Sequence, residues 1–189
     1  MTRFVLFAVI VPFLVPVAQG HAQTRGSWEF GIDAGFNLSI LDEQDNILTF
    51  GLPATDFGSF LQNLRIGYFT SETFEIESSI GLSYLSQSNA KFWRLGLTME
   101  GVYNFPRGSD PSDENAIPFL RGGGILTVWG DDDETLTQLG LGLGVGTKLP
   151  LGSQWALRLE IGGARYFEND DFLSHWDVNG SVGFSFFTM

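Results

Sequence analysis

The sequence predicts an all-β fold, an eight-stranded antiparallel up-and-down barrel with its oily face turned outward. Three observations lead there. Apolar side chains recur at every second position through about eight segments of similar length. The alternate positions are filled mainly by Gly, Ser and Asn, with isolated Glu and Arg. Large aromatic residues gather near the ends of the apolar runs. Successive side chains of a strand point to opposite faces, so each segment has one greasy face and one small or charged face. Segments of roughly 9–11 residues are long enough to cross a bilayer as tilted strands. The predicted architecture is therefore a transmembrane β-barrel.

The chain opens with Thr2-Arg3, an apolar run from Phe4 to Val17, and the small-residue stretch Ala18 to Ala22. A basic start, a short greasy centre and a small-residue exit form the pattern of a secretory signal peptide. Residues 1–22 are read as that signal, with cleavage after Gly20 or Ala22, and residues 23–189 as one barrel domain. A single domain suits a chain of 189 residues. There is no cysteine, so disulfide and thiolate chemistry are excluded. The formal net charge of −12 removes a basic surface for nucleic acid.

The first predicted strand, Ser27 to Ile40, carries Trp28, Phe30, Ile32, Ala34, Phe36, Leu38 and Ile40 on one face, and Glu29, Asp33, Asn37 and Ser39 on the other. In the second, Leu64, Ile66 and Tyr68 oppose Arg65 and Gly67. In the third, Phe74, Ile76, Ile80, Leu82 and Tyr84 oppose Glu75, Glu77, Ser79 and Gly81. The fourth sets Trp93, Leu95, Leu97, Met99 and Tyr103 against Arg94, Thr98 and Glu100. The fifth, opened by Pro118 where a missing N–H is tolerated, sets Leu120, Leu126 and Val128 against Arg121, Gly123 and Thr127. The sixth sets Leu139, Leu141, Leu143, Val145 and Leu149 against Gly140, Gly142, Gly144, Gly146 and Lys148. Its glycines relieve crowding inside a barrel; they do not form a phosphate loop. The seventh sets Trp155, Leu157, Leu159 and Ile161 against Arg158 and Glu160. The eighth sets Trp176, Val178, Val182, Phe184 and Phe186 against Asp177, Asn179 and Ser185.

The competing architecture is a soluble, lipocalin-like carrier, which also alternates but turns its apolar face inward around a ligand. Two features favour the membrane reading. The small polar face suits the cramped interior of an eight-stranded barrel. The apolar face, rimmed by Trp and Tyr, suits lipid and its interfaces.

The chain resembles the small outer-membrane β-barrels of the OmpA/OmpX type. The resemblance spans roughly Gly26 to Phe187. It is carried by the signal peptide, the strand repeats, the Pro118-Phe119-Leu120-Arg121-Gly122-Gly123-Gly124 strand opening and the aromatic Phe184-Ser185-Phe186 in the last strand. It implies a location in the cell outer membrane and contact with outer-membrane lipid and lipopolysaccharide. It also implies recognition of Phe184 and Phe186 by the barrel-assembly machinery. Phe187, Thr188 and Met189 follow these aromatics, so the last residue departs from the family pattern.

Among the inward charges, the expected turn near Gln87 to Ala90 places Glu77 close to Glu100, and the next pairing brings Arg121 beside Glu100. Side-by-side carboxylates need a cation between them or a shared proton. The expected lumenal ion-pair network is therefore Glu77, Glu100 and Arg121, with Arg158 and Glu160 reaching in. No cofactor, metal or catalytic group is expected, and the protein is read as a monomer. A narrow gated ion or water pore is the second reading of the network. A lipid A-modifying enzyme is the third, with Ser174-His175-Trp176-Asp177 as its raw material. Adjacent Ser174 and His175 point to opposite faces of a strand, which disfavours a nucleophile–base pair. The acidic run Asp131-Asp132-Asp133-Glu134 is read as a solvated loop. The first loop, with Ile47, Leu48, Phe50, Leu52 and Phe57, is the expected contact surface for a partner or for neighbouring lipid; packing of these residues over the barrel mouth is the alternative.

Overall fold

A computed structural model describes residues 23–41, 47–51, 64–87, 90–105, 116–131, 134–169 and 173–188. The expected signal peptide lies outside them, as do Leu52 and Phe57. The described chain forms nine strands: β1 (Trp28–Leu41), β2 (Ile47–Gly51), β3 (Leu64–Phe69), β4 (Phe74–Gln87), β5 (Ala90–Asn104), β6 (Ile117–Gly130), β7 (Thr135–Pro150), β8 (Trp155–Tyr166) and β9 (His175–Phe187). Each pairs antiparallel with its sequence neighbour, apart from β3, which lies against β1. Strand β9 returns to pair with β1 along its length, from Glu29↔Phe187 to Leu41↔His175. The sheet is thus a closed barrel.

Nine strands make eight staves because β2 and β3 share one position. Residues Trp28–Ile32 of β1 pair with β3, and Gly35–Ser39 of β1 pair with β2. This corrects the reading of Ile47, Leu48 and Phe50 as loop residues. They belong to a strand. Ile47 and Leu48 are adjacent apolar residues and break the period-2 signal, so the segment does not read as a strand in sequence.

Burial follows the parity of the strands. Outward residues such as Trp28, Ile32, Leu64, Met99, Leu141, Leu143 and Phe184 are widely exposed, Leu143 at 69 %. Inward Glu29, Asn37, Glu75, Glu77, Lys148 and Arg158 are at most 1 % exposed. A water-soluble protein buries its apolar side chains and solvates its charges. This barrel does the reverse, as a hydrocarbon surround requires.

Tight connections at the end that holds both termini include Thr70–Thr73, where Thr70 and Ser71 N–H both donate to the Phe74 carbonyl, and Leu151–Gln154. At the opposite end, Asp131 Oδ1 accepts from the Glu134 N–H at 2.8 Å, and the Asp131 N–H donates to the Glu134 carbonyl. This part of the acidic run closes a turn between β6 and β7. An aromatic girdle surrounds the terminal end, with Trp28 against Tyr68 at 4.9 Å and Trp155 against Phe186 at 5.0 Å between ring centroids.

Candidate functional site

The glycines of β7 decide what the lumen holds. Gly140, Gly142, Gly144 and Gly146 all face inward, and their missing side chains leave room for bulky neighbours. A Cβ at Gly146 would meet the Phe119 ring at 2.4 Å; one at Gly144 would meet Arg121 Nε at 2.9 Å; one at Gly142 would meet Ile125 at 3.2 Å. The β7 wall is bare so that β6 can lay Phe119, Arg121 and Ile125 across it.

The filled lumen has layers. At the terminal end, Phe69, Phe119 and Phe187 are almost fully buried. Lys148 lies above them, with Nζ 5.3, 5.7 and 5.8 Å from the centroids of Phe69, Phe119 and Phe187. This is an aromatic stopper capped by an ammonium group, a favourable arrangement when desolvated. Lys148 Nζ also donates to Glu29 Oε2 at 2.5 Å and Glu75 Oε2 at 2.9 Å, separating two carboxylates that would otherwise repel.

The next layer is built on two arginines. Arg65 is bound to Asp33 through Nε and Nη2, and its Nη1 lies 3.1 Å from both Glu29 Oε1 and Glu77 Oε2. Arg158 donates from Nη1 to Glu77 Oε2 at 2.6 Å and from Nη2 to Glu160 Oε2 at 2.8 Å, while its guanidinium packs 4.3 Å from the Phe119 centroid. Glu160 passes the network on to Arg121, which also holds Glu100. Glu77 and Glu100 face each other in register, but separate cations hold them: Arg65 and Arg158 for Glu77, Arg121 for Glu100.

All five expected network residues thus lie in one connected cluster. Five more join it: Glu29, Asp33, Arg65, Glu75 and Lys148. Each is inward by strand parity, so sequence reading places them on the correct face. Which of them touch depends on the stagger of strands around the closed barrel. Six carboxylates meet four cations in the cluster, a formal surplus of two negative charges. A cavity of about 30 Å³ lies among Asp33, Arg65, Glu100, Arg121 and Asn179, space for about two water molecules.

Towards the other end, Tyr166 stacks on His175 at 4.6 Å between ring centroids, and His175 Nε2 lies 3.8 Å from Asp177 Oδ1. Ser174 is not part of that group. Its Oγ accepts a hydrogen bond from Arg165 Nη2 at 2.8 Å. The arrangement gives His175 an acid neighbour, while Ser174 is engaged by Arg165. Phe184 and Phe186 lie on the outer face, opposite Ile32 and Phe30 of β1, while Phe187 turns into the lumen.

A closed barrel with an apolar exterior and an ion-paired interior defines the class of transmembrane β-barrels. The chain belongs to the outer membrane protein beta-barrel domain family, whose model matches residues 7–186. Its fold is similar to that of neisserial surface protein A, at 15 % identity, TM-score 0.57 and coverage of 86 % of this chain and 99 % of that one. It is also similar to Ail, the attachment invasion locus protein of Yersinia pestis (11 % identity, TM-score 0.52, covering 87 % and 100 %). OprG of Pseudomonas aeruginosa is a third (15 % identity, TM-score 0.52, covering 90 % and 98 %). No curated protein sequence matches the chain. The protein is an outer-membrane β-barrel of the cell envelope.

Proposed function

We propose that this protein is a non-conducting, non-catalytic scaffold of the outer membrane, with a structural or surface-interaction role. The observation that carries the reading is the filled lumen. Ion pairs cross it from wall to wall, and the terminal end is stopped by Phe69, Phe119 and Phe187 under Lys148. An eight-stranded barrel has an interior just wide enough for side chains, and here they occupy it. The short turns at the terminal end are those of a periplasmic face, which directs the other end outward to meet partners. Phe184 and Phe186, in the last strand, serve as the assembly signal. His175 and Asp177 act as rim residues that pack against Tyr166.

The competing reading is a narrow gated pore. Planar-bilayer recording of the purified barrel separates the two. The scaffold reading expects no steady conductance above the bare membrane, and Phe119→Ala is expected to raise it by opening the stopper. Steady single-channel openings of the unmodified protein would replace the scaffold with the pore. Mass spectrometry of lipid A incubated with the protein tests catalysis; loss of an acyl chain that depends on His175 would assign an enzyme.

A further inference from the structure

Among the described side chains, the outer face carries a charge that the fold does not need. Among the described strand side chains that point outward, every one is apolar, Gly, Ser, Thr or Pro except Arg165, near the end of β8. Ala164 and Tyr166 on either side of it are buried in the lumen, so Arg165 faces out. Its register partner on β9 is Trp176, also outward, and the guanidinium lies 5.2 Å from the Trp176 ring centroid. Among the described residues no carboxylate comes within ion-pair distance of it. Among the same residues its hydrogen-bond acceptor is Ser174 Oγ, at 2.8 Å.

The depth of this group identifies its surroundings. Trp155, in the girdle at the terminal end, stands on the same face of the same strand, ten residues earlier. Ten residues at about 3.3 Å each, tilted by about 40°, rise about 25 Å, the height of the apolar band of an outer-membrane barrel. Arg165 is therefore one hydrocarbon thickness from the opposite interface, at headgroup level, beside a Trp of the kind that marks that level.

We propose that Arg165, Ser174 and Trp176 form a binding site for the phosphate of an anionic lipid headgroup in the leaflet farther from the chain termini. The guanidinium fork presents five N–H donors in a plane that suits phosphate oxygens. Ser174 Oγ takes one of them and keeps its own hydroxyl proton to donate to the phosphate. Trp176 fixes the guanidinium plane against its ring. The inference rests on the membrane-embedded barrel but not on whether the lumen conducts.

The test is native mass spectrometry of the full barrel released from phosphatidylcholine nanodiscs doped with bisphosphorylated lipid A, with the dephosphorylated lipid, or with phosphatidylglycerol. The unmodified protein is expected to retain one phosphorylated lipid. Arg165→Gln is expected to lower that retention about tenfold, Arg165→Lys to recover part of it, and Ser174→Ala to cause a smaller loss. Preference for lipid A assigns the phosphomonoester as ligand, and equal retention of phosphatidylglycerol assigns the lipid phosphodiester as well. Equal retention of the dephosphorylated lipid, or undiminished retention by Arg165→Gln, overturns the site. Binding of inorganic phosphate alone in detergent as tightly as lipid A overturns the lipid assignment. Heat-dependent gel mobility shows that each variant has folded, and vesicle flotation reports membrane insertion separately.

Discussion

Replacing Arg158 with Met tests whether the lumenal network stabilises the barrel or merely fills it. Arg158 is 1 % exposed and contacts Glu77 at 2.6 Å and Glu160 at 2.8 Å. Met keeps much of the stem while deleting the charge and the guanidinium's contact with Phe119. The cluster then holds six carboxylates against three cations. Breaking a buried ion pair by removing one partner costs about 3–5 kcal/mol. Here Glu77 keeps Arg65 at 3.1 Å and Glu160 keeps Arg121, so the loss belongs near the lower limit. About 3 kcal/mol corresponds to a fall of roughly 100-fold in the folded-to-unfolded ratio. Urea titration of the barrel in phospholipid vesicles, followed by Trp fluorescence and heat-dependent gel mobility, measures it. Adding Glu77→Gln to Arg158→Met removes one of the six carboxylates and is expected to restore about 1 kcal/mol or more. A single variant within about 0.5 kcal/mol of the unmodified protein would show that water already screens the site. Absence of any recovery in the double variant would assign the loss to packing.

Two other substitutions probe the walls. Gly146→Ala places a Cβ 2.4 Å from both the Leu159 carbonyl oxygen and the Phe119 ring. It is expected to cost about 1–3 kcal/mol in the same titration, whereas Gly124→Ala, with nothing within 4 Å, is expected to be close to neutral. Leu143→Arg, at the middle of β7 on the outward face, is expected to cost about 2–4 kcal/mol in vesicles; an unaltered urea midpoint would mean that the face does not meet hydrocarbon.

The faces were legible in the sequence because strand parity is a local property. Trp28 and Glu29, or Leu120 and Arg121, are separated by one residue step, and that step alone sorts lipid from lumen. The same rule, applied to Phe69, Phe119 and Phe187, marks them as inward. They do not stand out because each adjoins an outward apolar residue, Tyr68, Leu120 or Phe186, and the pairs read as runs of grease. The contacts of Lys148 with Glu29 and Glu75 were not legible. Those residues come from β7, β1 and β4, and their meeting depends on the stagger with which the sheet closes. No single segment encodes that quantity. The divided stave of β2 and β3 was hidden for a related reason: five residues whose apolar positions do not alternate take their place from the edge of β1.

The Arg158–Glu77 contact has a consequence for how this barrel is made. Counting staves around the wall, β4 and β8 stand opposite each other, so the ion pair is a spoke across a hoop. The Lys148–Glu29 contact is a second spoke, from β7 to β1. No half-wound sheet has spokes. Until β8 and β9 arrive and the rim is sealed against β1, Glu77 and Glu29 lack these cross-wall partners, and a hydrated, open trough has to carry their charge. Sealing the rim and satisfying the hub are then one event, and the chain has little reason to stop between a loose ribbon and a finished wheel.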